Sequence, residues 1–592
     1  MVSSVNSVKC VYPGEHERIE RESDNPHVFV ADHGSYWFVG AHNNTSAYNG
    51  LGFLDLSSYQ LHKVLFDVRC QNARVSAVQV LPLQTVRVSD LGRERFFFHD
   101  RLACYSFEGS GVVDLFLDVR NTNDFEAFSR AHSWEVLSSN PWTVRVTGRD
   151  GVSFVFVCSR KLELVEGEWV GTPISFDAAR SGRDEWFSEL FLRGHDSFRV
   201  VIAPEDRLFE AKQVLAHQQH WEDSDAVWTG DIALGVASAS VDALLTQTPN
   251  GAAGILAGLP WFFQIYTRDE AIASGALIAS GKHHLAGRIL LREISVILPD
   301  GRIPNRFPHS ETGSADGVGW AFLRLHQLYS EHRDALSEEQ WRFVLEQIKT
   351  SLSRLTLGCF GVLIESLPQE TWMDTTGGVG DTRVGSRIEI QALTLRMLRF
   401  AHELCNEFGH DCCEDLRSRE RSLLATTKEH LFDGEHLFDG CIKGVPDKTI
   451  RPNALLARYI YPWLLSDDEW MAVADSLLKE LSTSWGGLTT IGLSHELFVD
   501  THTGENDRSY HRGDSWFFVN NLIAASLVSL NEKYHSFAKA VYAASEKDLL
   551  SLGAAGHASE ISSAARLEAF GCWCQAWSAS SFIELSLALG RR

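Results

Sequence analysis

A change of hydrophobic period between residues 205 and 228 constrains this chain more than any other feature. Upstream, short runs rich in Val and Phe at residues 27–30, 36–39, 95–98, 112–119, 143–146, 152–157 and 198–202 are separated by Gly, Asp and Asn turns such as Arg149-Asp150-Gly151. β-Branched and aromatic side chains fit a pleated, half-buried surface, so this part is expected to form an antiparallel β-sandwich. From Leu208 onward apolar residues recur at helical spacing, broken at Gly and Pro. That pattern predicts a linker helix within residues 208–221 and an all-α domain after it. The expected division is a β-rich domain over residues 1–225 and a helical domain over 226–592.

Helix starts fall near residues 230, 268, 283, 316, 338, 386, 415, 452, 467, 513, 533 and 571, each opening a segment of roughly 10–20 residues. Twelve helices joined by loops of alternating length make six hairpins. An even set of hairpins can close into a toroid whose long loops on one face carry function. An open bundle or a repeat array has the same periodicity.

At 592 residues and 44% apolar content the chain has material for two cores, more than one core usually serves. A formal charge of -23, from 77 acidic and 54 basic residues, argues against nucleic acid or an anionic membrane as partner and favours a neutral ligand. No apolar run reaches the roughly 18 residues of a membrane span, and residues 1–10 lack the basic start and apolar stretch of a secretory signal. Cytoplasmic residence is the expectation. The eleven cysteines contain no C-x-x-C pair and are expected to be reduced and mostly buried. Cys572, Cys574 and His557 read as core side chains rather than metal ligands. No metal and no cofactor are expected, and the oligomeric state stays open.

Polar and aromatic residues crowd the loops and helix starts of the second half more densely than connectors need. Thr371-Trp372-Met373-Asp374 sets a carboxylic acid beside an indole, and desolvation by such a wall raises a carboxyl pKa. Its bland reading is a capping Asp after a buried Trp. Trp261 and Tyr266-Thr267-Arg268-Asp269 form an aromatic loop feeding an Arg-Asp pair at a helix start. Asp316 opens another helix and also reads as a plain cap. Arg383 and Glu389 follow Asp374, and an Arg there can pair with a carboxylate or hold sugar hydroxyls. Tyr510-His511-Arg512-Gly513-Asp514-Ser515-Trp516 and Ser559-Glu560, with Gln575-Ala576-Trp577 beyond, complete the set.

Together these supply an acid, a second carboxylate, planar faces and hydroxyl-binding groups, the parts a glycosidase needs. Inverting cleavage takes one protonated carboxyl for the leaving oxygen and one carboxylate to draw a proton from water on the opposite face. Asp374 and Glu560 suit those two roles, with Asp514 and Glu505 as other candidates for the base.

In this order the motifs Tyr266-Thr267-Arg268-Asp269, Gly301-Arg302-Ile303-Pro304-Asn305, Thr371-Trp372-Met373-Asp374, Arg451-Pro452-Asn453, Tyr510-His511-Arg512-Gly513 and Gln575-Ala576-Trp577-Ser578 resemble the amylo-α-1,6-glucosidase part of glycogen debranching enzymes. The resemblance spans about residues 259–587. It implies an (α/α)6 toroid and an inverting, exo-acting hydrolase without metal. The implied substrate is single α-1,6-linked glucosyl stubs on glycogen or a related α-glucan. By motif, Asp374 is the implied general acid and Glu560 the implied base. Trp261, Arg268, Asp269, Asp316, Trp372, Arg383, Glu389, His511, Arg512, Trp516, Gln575 and Trp577 are the implied sugar-binding residues. Two departures bear on substrate: Tyr266-Thr267 replaces the family's Trp-Gly, and Arg512 replaces a Gln, which is similar to processing α-glucosidases. A toroidal α-glycosidase of a small oligosaccharide or glucoside is therefore the alternative. A non-catalytic glucan-binding protein is a third reading, opposed by the presence of both acids.

Overall fold

The β-rich half owes its architecture to strict alternation along its strands. The computed structural model describes residues 8–11, 27–41, 46–82, 84–122, 124, 132–173, 185–221, 228, 230–307, 313–375, 383–409, 413–504 and 508–591. These fall into two compact units. One comprises residues 1–250, 258–263 and 547–558, and the other residues 251–257, 264–546 and 559–592.

In the first unit a nine-stranded sheet runs, in spatial order, Val8–Val11, Val75–Leu81, Gln84–Ser89, Gly92–His99, Leu102–Gly109, Phe198–Pro204, Ser153–Cys158, Trp142–Thr147 and Ser133–Ser139. A seven-stranded sheet runs Glu163–Pro173, Glu185–His195, Val112–Asn121, Gln60–Cys70, Gly50–Asp55, Ser35–Gly40 and His27–Asp32. Neighbouring strands are antiparallel throughout. The two sheets share one core: Trp37, Leu65 and Leu115 from one pack with Phe96, Tyr105, Phe156 and Val200 from the other. The next residue along each strand points the other way. Phe97, Cys104, Val157 and Val201 accordingly form a separate cluster with Ala211, Val214 and Trp221, under α1 (Leu208–Ala216). α2 (Ile232–Asp242) belongs to this unit as well.

The helices lying wholly or mostly in the second unit are α3 (Thr267–Ala279), α4 (His283–Ile294), α5 (Gly317–Glu331), α6 (Glu338–Arg354), α7 (Ile388–Phe408), α8 (Cys413–Leu431), α9 (Asn453–Ile460), α10 (Asp467–Leu481), α11 (Phe517–Leu530), α12 (His535–Ser551) and α13 (Ala576–Ala588). The odd-numbered ones pack in sequence, α3 on α5, α5 on α7, α7 on α9, α9 on α11 and α11 on α13, and α13 returns to α3. The ring closes. α3 buries every residue from Thr267 to Ile278, and its Ala271, Ala273, Ser274, Gly275 and Ala276 let neighbours approach closely. Even-numbered helices lie outside and are amphipathic, as α6 shows by burying Trp341, Val344, Leu345, Ile348 and Leu352 at i, i+3, i+4 spacing.

No helix among the described residues is long and apolar enough to cross a membrane. Eight described cysteines are free, all but Cys413 buried, and Cys572 and Cys574 are among them. Cys405 departs from the expected reduced state and is disulfide-bonded.

Candidate active site

The inner helices bring their first turns to one place. Arg268 and Asp269 are the second and third residues of α3, Asp316 immediately precedes α5, Glu389 is second in α7, Asn453 opens α9, Trp516 precedes α11, and Gln575 and Trp577 flank the start of α13. None of these six helices has a side-chain N-cap, whereas outer α6 and α10 carry full capping boxes at Ser337 and Ser466. The freed N–H groups tie down functional loops instead. Thr267 N–H donates to Asn305, Ile388 N–H to the Asp439 carbonyl and Phe517 N–H to the Glu560 carbonyl. Six uncapped N-termini also bring positive dipole ends to where the carboxylates gather, which lowers the cost of crowding them.

Arg268 organises the first group. Its Nη2 is 3.3 Å from Asp374 Oδ2, its Nη1 3.6 Å from Asp316 Oδ1 and its Nε 3.7 Å from Asp269 Oδ2. Burial pushes Asp269 up to about 7, against the pull of Arg268 and with Asp374 and Asp316 adding to the rise. Burial likewise raises Asp316 and Asp374 above the usual carboxylate range, again opposed by Arg268. Three carboxyls around one guanidinium cannot all ionise cheaply, so protons stay in the cluster near neutral pH. Asp374 differs from its companions in access: its side chain is 36% exposed, against 5% and 0% for Asp269 and Asp316. Asp316 occupies the cap position of α5 but does not cap it, accepting instead from Ser314 Oγ at 2.8 Å.

A second ionic group backs the first. Arg383 is buried against Glu389 and Asp439, with a left-handed backbone (φ 55°) of the kind that costs about 1–3 kcal/mol and persists where its surroundings enforce it. Asp439 also accepts from Arg387 at 3.2 Å and from Asn453 Nδ2 at 2.9 Å. Asn453 Oδ1 in turn receives Trp372 Nε1 at 2.9 Å. Trp372 is 1% exposed, enclosed edge-on by His511, Trp516 and Phe518 at 5.3–5.6 Å. It walls the Asp374 segment from behind.

His511 stacks on Trp516 at 5.1 Å, and its Nδ1 meets Thr375 Oγ1 at 3.0 Å. Burial, with Arg451, Arg268, Arg383 and Arg512 around it, drives its pKa well below the usual value, so the ring is neutral. Arg512 is itself buried beside it. Trp577 stacks on Phe518 at 4.2 Å, with the Arg268 guanidinium 5.7 Å from its ring centre. Gln575 Nε2 donates to Asp269 Oδ1 at 3.3 Å. Trp261 falls in the first unit, half-buried beside Tyr48 at 5.7 Å.

Glu560 belongs to the same cluster through its aromatics: Trp577 lies 5.8 Å from Trp516, Trp516 4.8 Å from Tyr510, and the Tyr510 hydroxyl donates to Glu560 Oε1 at 2.6 Å. The other oxygen accepts Cys572 N–H at 3.0 Å. Gly571 makes that bond possible. It sits at φ 67°, and a Cβ there would run into Glu560 Oε2. We expect Gly571→Ala to fold with a modest loss of stability, about 1–2 kcal/mol for the left-handed residue. Its kcat should fall on the order of 100-fold, as a displacement of roughly 1 Å does to an active-site group. Steady-state kinetics beside a thermal melt checks this, and an unchanged kcat would contradict it.

Among the described residues several buried polar atoms here have no protein hydrogen-bond partner: Asp316 Oδ2, Glu389 Oε2, His511 Nε2, Gln575 Oε1, Trp577 Nε1, Thr371 Oγ1 and Ser578 Oγ. Leaving such a group unsatisfied costs roughly 1–3 kcal/mol, and a cluster of them marks where a hydroxyl-rich ligand or its water completes the bonding. Asp514, the other described candidate base, is committed to His502 at 2.7 Å and Ser509 at 2.9 Å. Glu505 lies outside the described residues. Sequence reasoning assigned no role to Asp439, Arg387, Asn453, Tyr510 or Gly571. Asn453 and Tyr510 stood inside quoted motifs, and two neighbouring buried arginines called for a carboxylate, but nothing local singled out Asp439.

The family model of amylo-alpha-1,6-glucosidase matches residues 238–584. The chain belongs to the amylo-alpha-1,6-glucosidase family. It is a glycoside hydrolase. A bacterial glucoamylase solved with acarbose is similar in fold over 98% of both chains, with a TM-score of 0.66 at 10% identity. A GH63 mannosylglycerate hydrolase from Thermus thermophilus solved with glucose matches 61% of this chain and 100% of its own at 14% identity and a TM-score of 0.46. No curated protein matches the sequence.

Proposed function

We propose that this amylo-alpha-1,6-glucosidase family member is an (α/α)6 toroidal exo-glucosidase that removes single α-1,6-linked glucose residues from glycogen or a related α-glucan by inverting single displacement. The observation that carries this reading is the pairing of unlike carboxyls in one aromatic-walled cluster. Asp374 is raised by burial yet a third exposed, and Glu560 has both oxygens held as acceptors by Tyr510 and Cys572.

Protonated Asp374 gives its proton to the glycosidic oxygen as the C1–O bond breaks. A water attacks C1 from the opposite face and passes its proton to Glu560. The cycle ends with Asp374 ionised and Glu560 neutral, and solvent exchange resets both. Arg268 holds the Asp374 carboxyl in place and steadies its ionised form. The unpaired groups of Asp316, Glu389, His511, Gln575 and Trp577 receive the hydroxyls of the departing glucosyl ring, and the indole of Trp577 offers it an apolar edge.

Arg512 and the Tyr266-Thr267 pair favour, as a second reading, a smaller α-linked oligosaccharide. Incubation with a limit dextrin trimmed to single-glucose branches, beside isomaltose, panose and short α-1,4 glucans, separates the two. The first reading expects free glucose from the dextrin, as the β-anomer by NMR. Activity on the small substrates alone would replace it, and initial α-glucose would end the inverting assignment.

A further inference from the structure

Outside the catalytic cluster, His283 and His284 at the start of α4 and Asp334 in the 3-10 turn Arg333–Ala335 converge. Each offers a ligand atom within 4.8 Å of the others'. Among the described residues the three form no mutual hydrogen bond or ion pair, although their ligand atoms lie this close. Metal–ligand bonds of about 2.0–2.2 Å set ligand atoms roughly 3.3 Å apart in a tetrahedron, a spacing that the three side chains, with ligand atoms within 4.8 Å of one another, reach by drawing in on a central ion.

The tautomer of His284 points the same way. Its Nδ1 lies 3.2 Å from the Ala335 carbonyl, so Nδ1 carries the proton and Nε2 keeps its lone pair. This is the orienting bond that metal-bound histidines typically make with their other nitrogen. The turn that offers Asp334 therefore also aims His284. The His283 ring is set by a parallel stack on His332, 4.5 Å away at 5°, and its Nδ1 is buried without a partner. Two nitrogens and one carboxylate oxygen suit a borderline transition ion such as Zn2+ and are poor in oxygen for Mg2+ or Ca2+.

We propose that His283, His284 and Asp334 form an open three-ligand site for a divalent transition metal, completed by water, which staples the start of α4 to the turn following α5. It takes no part in glycoside cleavage, and it stands whether or not the proposed substrate does.

The test uses tag-free, full-length protein stripped with chelator. Zn2+ titration calorimetry should find one equivalent per chain. Co2+ loading should give the intense visible bands of a low-symmetry four-coordinate ion. Saturating Zn2+ should raise the melting temperature, because an ion that binds only the folded chain stabilises it by mass action. His284→Ala and Asp334→Asn, both at exposed positions, should each weaken Zn2+ at least about 10-fold while leaving the metal-free melt and the hydrolytic rate unchanged. Absence of stoichiometric binding, or affinity equal to wild type in both variants, would overturn the site.

Discussion

Asp374→Asn should lower kcat/KM on the natural glucan by about 1,000- to 10,000-fold, the upper range of what a general acid contributes, yet leave hydrolysis of α-glucosyl fluoride within a few-fold of wild type. The two substrates differ in one respect that matters. A sugar alkoxide is too basic to leave without a proton, whereas fluoride needs little help, so only the first depends on the acid. The pH profile provides a second, independent reading. Burial raises Asp374 above its ordinary value and raises its neighbour Asp269 to about 7. The acid is therefore present at low pH and lost as pH climbs through the range of this cluster, which sets the alkaline limb for wild type on the glucan. With the fluoride and the Asn variant that limb should disappear, while the acid limb stays. A uniform loss on both substrates would mean that the substitution disturbed Arg268 rather than removed a proton donor, because Arg268 contacts Asp269, Asp316 and Asp374 alike.

Helical period carried the ring a long way, and where it fell short the reasons are local. The starts expected near 283, 338 and 467 coincide with those of α4, α6 and α10, because these outer helices are amphipathic and α6 and α10 open on Ser-led capping boxes. Inner helices lack the side-chain cap, yet the starts expected near 268, 316, 386 and 452 still fall within two residues of α3, α5, α7 and α9. α11 begins at Phe517 rather than near Gly513, since Ser515-Trp516 first pairs with Ile561-Ser562 in a two-residue bridge, and a bridge that short has no period to read. α13 is displaced in the same way, beginning at Ala576 only after Gly571 has turned at positive φ against Glu560.

The site shows the same split. Asp374 beside Trp372 was legible as an acid with an aromatic wall, but not that the indole would be fully buried and spend its N–H on Asn453. Asp439 was invisible because its partners reach it from two other segments, Arg383 and Arg387 from the approach to α7 and Asn453 from the start of α9, and a hub assembled by tertiary packing leaves no spacing in the chain. Asp316 read more readily as a cap. Only the closing of α5 onto α3 shows its carboxylate turned to Arg268 instead.

Glu560→Gln should remove turnover by on the order of 10,000-fold or more on every substrate, glucosyl fluoride included, with ligand affinity unchanged within a few-fold. The amide keeps the size of the carboxylate and one acceptor oxygen, so it can still receive the Tyr510 hydroxyl or the Cys572 N–H, but it cannot take a proton from water. Fluoride does not rescue this variant, since the attacking water needs a base whatever the leaving group. That opposite response to the same substrate distinguishes the two acids without any structure. Tyr510→Phe supplies the control: it removes one donor and leaves the carboxylate, so kcat should drop by a much smaller factor. If Glu560→Gln instead retains wild-type rate, Asp514 is the remaining described candidate. Its second oxygen is buried and unpaired, but its contacts to His502 and Ser509 would have to break before it could serve.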